Sequence, residues 1–169
     1  MLETEDLILA PARQTDWQDM YENVWSRPES ARYMAWKVTE SPEQARERMA
    51  RTIAWEQSHE GCMLVYLKRT GRAIGFAGAQ EIGPGEWEEC GICLGPDFVG
   101  RGYGGQILQA LMDDSRARGG RYFYYTSRDT NRASLALARS RGFTPFCARA
   151  GRDERDGGVY VSLTLRRKL

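Results

Sequence analysis

Histidine is nearly absent from this 169-residue chain, which holds one, His59, beside four cysteines. Cys90-Gly91-Ile92-Cys93 has C-x-x-C spacing, but it has no second pair, and on a regular strand residues three apart face opposite sides of a sheet and cannot grip one ion. No metal is expected. With no export signal, Cys62, Cys90, Cys93 and Cys147 are expected as reduced thiols rather than a disulfide framework. Charge of one sign is also missing: 24 Lys and Arg against 23 Asp and Glu leave +1, which excludes the broad positive field of a duplex-wrapping protein, so no nucleic-acid partner is expected. No run approaches the roughly 20 apolar residues of a membrane span. Leu7-Ile8-Leu9-Ala10, behind an acidic start, is too short for a signal-peptide core. No membrane partner is expected, and the location expected is cytoplasmic. Repeats, linkers and low-complexity tracts are absent, and 41% hydrophobic with 28% charged residues reads as one domain over residues 1–169, burying roughly 70% of the surface its unfolded chain exposes.

The patterns that are present alternate between strand and helix. Leu2-x-Thr4-x-x-Leu7-x-Leu9 reads as one strand ending at Pro11. Trp17, Met20, Tyr21 and Val24 recur at helical spacing over residues 15–25, with Thr15 or Asp16 at the N-cap. Ser41-Pro42-Glu43-Gln44 opens a helix with a capping box, expected to run to about Ser58. Residues 62–68, 73–81 and 87–94 read as strands separated by glycine turns. A helix to about Ala117, a strand at 121–126, a helix at 131–141 closed by Gly142, and a last strand at 159–165 complete the order, roughly βααβββαβαββ. The fold class is α+β with a central mixed sheet flanked by helices.

The most informative stretch is Leu94-Gly95-Pro96-Asp97-Phe98-Val99-Gly100-Arg101-Gly102-Tyr103-Gly104-Gly105, between a strand and the helix carrying Ile107, Leu108, Leu111 and Met112. Glycines there let backbone N–H groups approach one point without Cβ obstruction, beside the positive end of a helix dipole. The result is a phosphate site. A P-loop is excluded, since no Gly-Lys-Ser/Thr follows. Gly100-x-Gly102-x-x-Gly105 satisfies the dinucleotide pattern, which keeps a nucleotide-dependent oxidoreductase as an alternative. Against it, few residues remain for further βα units, and the acidic ribose ligand about twenty residues on is replaced by Phe123-Tyr124-Tyr125-Thr126.

The loop resembles motif A of the GCN5-related N-acetyltransferases (GNAT), Gln/Arg-x-x-Gly-x-Gly/Ala, with Gly102 and Gly104 at the two small positions and Val99 where Gln or Arg is usual. Asn131-x-x-Ser134 followed by Arg141-Gly142-Phe143 resembles motif B. The N-terminal Leu-x-Thr-x-x-Leu-x-Leu, Glu88-Glu89-Cys90-Gly91 and Gly95-Pro96-Asp97-Phe98 look most like the subgroup that includes ribosomal-protein N-terminal acetyltransferases. The resemblance runs from Leu2 to about Leu165.

It implies the GNAT fold and direct transfer of acetyl from acetyl-CoA to a primary amine, on a protein N-terminus or a small molecule. Backbone amides of Gly100, Arg101, Gly102, Tyr103, Gly104 and Gly105 would cradle the pyrophosphate, with Arg101 adding charge. Main-chain groups of Ile92, Cys93 and Leu94 would bond the pantetheine arm and the thioester carbonyl, and Asn131 would bond a pantetheine amide besides capping its helix. Glu89 is the candidate base; on a regular strand it shares a face with Gly91 and Cys93. The tyrosine that many relatives use as general acid is replaced by Ala138, which leaves Ser134 as candidate acid, with Tyr124 and Tyr125 behind it. Tyr33 and Trp36 are candidate walls of the acceptor pocket. The missing tyrosine also keeps open a non-catalytic acyl-CoA-binding module. Monomer and homodimer remain equally open.

Overall fold

A computed structural model describes all residues, Met1–Leu169. Eight strands form one sheet in the order β1-β2-β3-β4-β5-β6-β8-β7. Every neighbouring pair is antiparallel except β5 (Glu86–Leu94) with β6 (Tyr122–Arg128), which is parallel. The last strand, β8 (Val159–Lys168), inserts between β6 and β7 (Thr144–Arg152). With a single parallel pair, this is not the doubly wound parallel sheet that an oxidoreductase of the dinucleotide type requires.

The two faces carry separate cores. Under α4 (Tyr103–Ala117) and α5 (Arg132–Ser140) lie Leu7, Leu9, Val65, Ile74, Trp87, Phe123 and their neighbours. Under α1 (Trp17–Met20), α2 (Pro28–Ala31) and α3 (Pro42–Glu56) lie Met20, Val24, Trp25, Met49, Leu64, Tyr66 and Cys93. Alternation along β3 (Cys62–Leu67) feeds both, with Val65 and Leu67 on one face and Leu64 and Tyr66 on the other.

Three local expectations need correction. The first strand is broken into β1 (Leu2–Glu3) and β2 (Leu7–Ala10), paired as a hairpin because Thr4 Oγ1 accepts from Leu7 N–H at 3.0 Å and turns the chain. The first helix is not a regular one over 15–25: one 3-10 turn over Gln14–Asp16, one α turn and a π turn over Tyr21–Trp25 follow each other. Asp16 is the N-cap of the α turn, as expected, but without a capping side-chain bond; the 3-10 turn ahead of it has Arg13 at its N-cap, whose N–H is accepted by Asp16 at 2.8 Å. The π turn allows Asn23, Val24 and Trp25 all to be buried, and Asn23 Nδ2 donates to the Ala73 carbonyl at 2.8 Å at the start of β4 (Ala73–Gly83). The third correction is in β5. Ala77 pairs with Ile92 but Ala79 with Glu89, so the single residue Gly78 of β4 opposes both Cys90 and Gly91 of β5, and the extra residue sits at Gly91, φ +110°. Beyond this bulge the parity inverts. Glu89 therefore shares its face with Ile92 and not with Cys93, while Cys90 and Cys93 lie on the same side, toward α1–α3.

Candidate active site

The parallel pairing of β5 with β6 covers only Glu86–Glu88 against Tyr122–Tyr124. Past Glu88 the bulge at Gly91 bends β5 away and the sheet opens into a cleft. Glu89 reaches across it: its carboxylate accepts from the Gly91 N–H on its own strand and from the Thr126 N–H of β6 at 3.4 Å. Glu89 is half-buried at the cavity wall, and the loss of water around its carboxyl pushes it up to about 8, against the pull of those two N–H groups and with a push from Glu88. Glu88 lies on the opposite face, where it accepts from Thr126 Oγ1 at 3.1 Å.

Two cavities meet at this cleft. One, about 270 Å³, is lined by Glu89, Gly91, Tyr125, Thr126 and Arg128 among others. The other, about 620 Å³, runs past Ile92, Cys93 and Leu94 to Val99, Gly100, Gly102 and Gly104. Tyr33, Met34, Ile92, Tyr125, Asn131 and Ser134 line both, so the passage from the glycine loop to Glu89 is continuous.

At its outer end the loop is open. Gly100 and Gly102 hold φ +76° and +82°, and a Cβ on either would meet no atom within 4 Å, which leaves the space above them free for a ligand. Gly102 is the N-cap of α4 and has no side chain to satisfy the first helical N–H groups, which are left for an anion. Gly104 and Gly105 are close-packing positions: a Cβ at Gly104 would stand 3.2 Å from Leu137 Cδ2, and one at Gly105 would run into the Arg141 guanidinium at the α5 end. Tyr103 buries its ring in the core and offers the loop only its backbone. Arg101 turns its Nε to the Asp97 carbonyl at 3.0 Å and does not line the cavity, so the structure does not bring its charge to the site. Cys93 likewise contributes main chain alone, because its thiol is buried toward the Ser30 carbonyl and pushed up to about 12.

Asn131 caps α5, its Oδ1 accepting from Ser134 N–H at 3.3 Å, which leaves the amide N–H2 as its free donor. Ser134 Oγ and Tyr125 Oη share a hydrogen bond of 2.8 Å at the junction of the two cavities. Burial and the nearness of Glu89 push Tyr125 up to about 12, so it holds its proton at neutral pH. Tyr124 is on the other face, its hydroxyl donating to Glu86 at 3.3 Å and its ring packed edge-on against Phe146, which removes it as a candidate acid. Ala138 is fully buried among core residues. It lines neither cavity, and its methyl group carries no proton to give. Of the two acceptor-wall candidates, Tyr33 lines both cavities and bonds the Thr130 carbonyl at 3.3 Å, whereas Trp36 lines a different cavity on the α1–α3 side. Sequence reasoning left Gly91 without a role; a lone glycine inside a strand pattern was the available signal for a bulge.

An open glycine loop at a helix start, joined by a passage to a half-buried carboxyl and a hydroxyl pair on this mixed sheet, fits a coenzyme A-dependent acyltransferase. Residues 6–144 match the acetyltransferase (GNAT) domain model. The chain belongs to the GNAT acetyltransferase family, whose acyl donor is acetyl-CoA, and the alternative oxidoreductase reading falls with the fold. A segment of 76 residues is 42% identical to N-alpha-acetyltransferase RimI of Mycobacterium tuberculosis (strain ATCC 25618 / H37Rv), covering 43% of this chain and 46% of that protein. In fold, the chain is similar to an acetyltransferase of the GNAT family from Bacillus anthracis, with TM-score 0.83, 15% identity and coverage of 99% and 98%. It is also similar to RimL, the ribosomal L7/L12 alpha-N-protein acetyltransferase, solved in complex with coenzyme A, with TM-score 0.77, 24% identity and coverage of 98% and 96%.

Proposed function

We propose that this protein acetylates the α-amino group of a peptide or protein, with Glu89 as base and the Ser134–Tyr125 pair as proton donor. Acetyl-CoA supplies the acetyl group as a thioester. An amine attacks only when neutral, and at pH 7 an α-amino group of pKa ~8 is neutral about one time in ten, a lysine of pKa ~10.4 about once in 2,500. The observation that carries the reading is the Glu89 carboxyl raised to about 8 at the inner end of the passage. A carboxyl raised toward that range takes a proton from an α-ammonium at lower cost than from a lysine ammonium, whose own pKa lies more than two units higher. Glu89 takes the proton that the nitrogen sheds as the N–C bond forms. Ser134, backed by Tyr125, returns a proton to the sulfur as the C–S bond breaks, so the products are an amide and a neutral thiol. The names of the RimI and RimL relatives point to the same acceptor class. The bacterial RimI relative supports a cytoplasmic location for the reaction.

Thiol release measured with two peptides tests this, one with a free α-amine and no lysine, the other N-terminally blocked with one lysine. The α-amine peptide is expected to be the better acceptor; a faster reaction with the lysine peptide overturns the reading.

A further inference from the structure

On the face of the sheet turned toward α1–α3, back to back with the reaction cleft, lies a separate cavity of about 190 Å³. Trp25, Trp36, Trp55, Phe76 and Cys90 wall it, together with Arg48 of α3. Its volume equals that of about six liquid water molecules, enough for one small group with an apolar body.

Arg48 is the unusual member. Its guanidinium lies 4.6 Å from the Trp25 ring centroid and 4.4 Å from that of Trp36, half-buried between two aromatic faces. It makes one side-chain hydrogen bond, to Thr39 Oγ1 at 2.9 Å, out of five donors. Its neighbours on the outer side of α3, Arg46 and Arg51, each pair with a glutamate, but Arg48 pairs with no carboxylate. Lost hydration pushes it down to about 10, the signature of a cation whose counter-charge is missing. A second donor shares the condition: the indole Nε1 of Trp36 is fully buried without an acceptor. The guanidinium keeps four of its five donors free and its charge unpaired on the cavity wall, beside a buried indole N–H that has no acceptor, so an anion entering the cavity from outside the chain would give the charge the partner it lacks. The one acid in the wall, Glu56, is occupied by the Ala12 N–H at 2.8 Å, and burial raises it, which disfavours its charge. The cavity also adjoins the cleft in the chain: Trp36 follows Tyr33, Met34 and Ala35, which line the Glu89 cavity, and Cys90 follows Glu89 itself.

We propose that this cavity binds a carboxylate carried on a short apolar body, and that it thereby selects acceptors with an acidic side chain close to the reacting amine. The acceptor half of this inference rests on the reading of the Glu89 cleft as the place of transfer; the binding half does not.

Calorimetry on the full chain with phenylacetate and its neutral isostere phenylacetamide tests the binding half. Phenylacetate is expected to bind about tenfold tighter or more, as a charge-assisted hydrogen bond predicts. Arg48→Met keeps the aliphatic stem against the tryptophans and is expected to erase the difference, with unchanged coenzyme A affinity confirming the fold. Equal affinities in the unsubstituted protein, or no binding of either compound, overturn the site without any variant. The acceptor half is tested with peptides that differ only by Glu or Gln next to the N-terminal residue. Preference for Glu that disappears in Arg48→Met supports it, and equal rates overturn it. If phenylacetate binds selectively but no peptide is acetylated, the cavity stands and the α-amine reading fails. If peptides are acetylated without preference and phenylacetate binds no tighter than the amide, the reverse holds.

Discussion

Tyr125 Oη and Ser134 Oγ stand 2.8 Å apart, one on β6 and the other on the first turn of α5, where the cofactor passage meets the acceptor cleft. Either oxygen can be the donor. In the proposed mechanism the pair takes the place of the tyrosine that Ala138 replaces, and the proton that leaves one oxygen is replaced from the other.

Ser134→Ala and Tyr125→Phe are expected to lower turnover by roughly 10²-fold each, with the affinity for acetyl-CoA unchanged, and the double variant is expected to lose little more than the worse single one, because the two groups act as a unit. The deficit should ease with a thioester whose thiol is more acidic. A dissociation constant raised by about 0.5–1.5 kcal/mol with turnover intact would instead make Ser134 a holder of the cofactor.

Gly102→Val fills the open space above the loop and forces a β-branched residue to φ +82°. Coenzyme A affinity is expected to fall at least about tenfold, with a stability cost of roughly 1–3 kcal/mol from strain. Gly119→Ala is the matched control, since Gly119 has φ +90°, equally open surroundings and no place in the cavity. It should lose stability and keep coenzyme A. Calorimetry and thermal unfolding on both separate strain from lost ligand space; equal affinities would take Gly102 out of the cradle.

The elements at the loop were legible because local rules determine them. Ser41 accepts from Gln44 N–H at 3.3 Å as its capping box requires, although Gln44 returns its bond to Glu40 N–H rather than to Ser41. Gly142 at φ +78° closes α5, with Phe143 N–H on the Ala138 carbonyl and Gly142 N–H on Arg139. What stayed hidden depends on partners far along the chain. The bulge at Gly91 reverses which face Cys90 and Cys93 share, and a period-2 pattern carries no record of one extra residue. The first helix changes its winding to dock Asn23 on β4, a contact fifty residues away. Tyr125 and Tyr124 are adjacent and equivalent in sequence; the sheet alone sends one to Ser134 and the other to Phe146.

A buried aspartate ties the β7–β8 turn to the segment carrying Tyr33. Asp153 accepts from Arg128 and Arg155, both at 2.7 Å, and Arg155 in turn donates to the carbonyls of Ala31 at 2.8 Å and Arg32 at 3.1 Å. The two guanidiniums hold the Asp153 carboxyl well below the ordinary aspartate range. A depressed folded value means that the tie is complete above the usual aspartate pKa and is lost only as pH falls well below it. Asp153→Asn is expected to speed hydrogen exchange in residues 31–36 and to raise KM for the acceptor at unchanged coenzyme A affinity. Exchange rates equal to those of the unsubstituted protein would show that the tie does not order that wall.

Glu89→Gln removes the charge but has a single Oε1, so it keeps one of the two acceptor bonds to Gly91 and Thr126 and turns an N–H2 toward the other N–H. The folded protein holds the Glu89 proton up to about pH 8, whereas the unfolded chain releases it near the ordinary value of 4.5. Between these two values the folded state binds more protons, so this group lowers stability as pH rises through that window and leaves it unaffected below. The variant lacks the penalty. Beside the pH-independent cost of the lost bond, its stability relative to the unsubstituted protein should be lowest near pH 4, rise across the window and level off near pH 8 on the order of 1–3 kcal/mol higher, after allowance for the water that reaches the cleft. Turnover should fall at pH 7 and recover toward the unsubstituted rate as the medium passes the ~8 of an α-amine and the acceptor loses its proton unaided. Glu88→Gln, on the other face, should show neither effect. Thermal unfolding and thiol release over the same pH series check both halves. A constant stability difference would refute the raised carboxyl, and equal turnover in all three proteins from about pH 6 to 9 would retire Glu89 as the base.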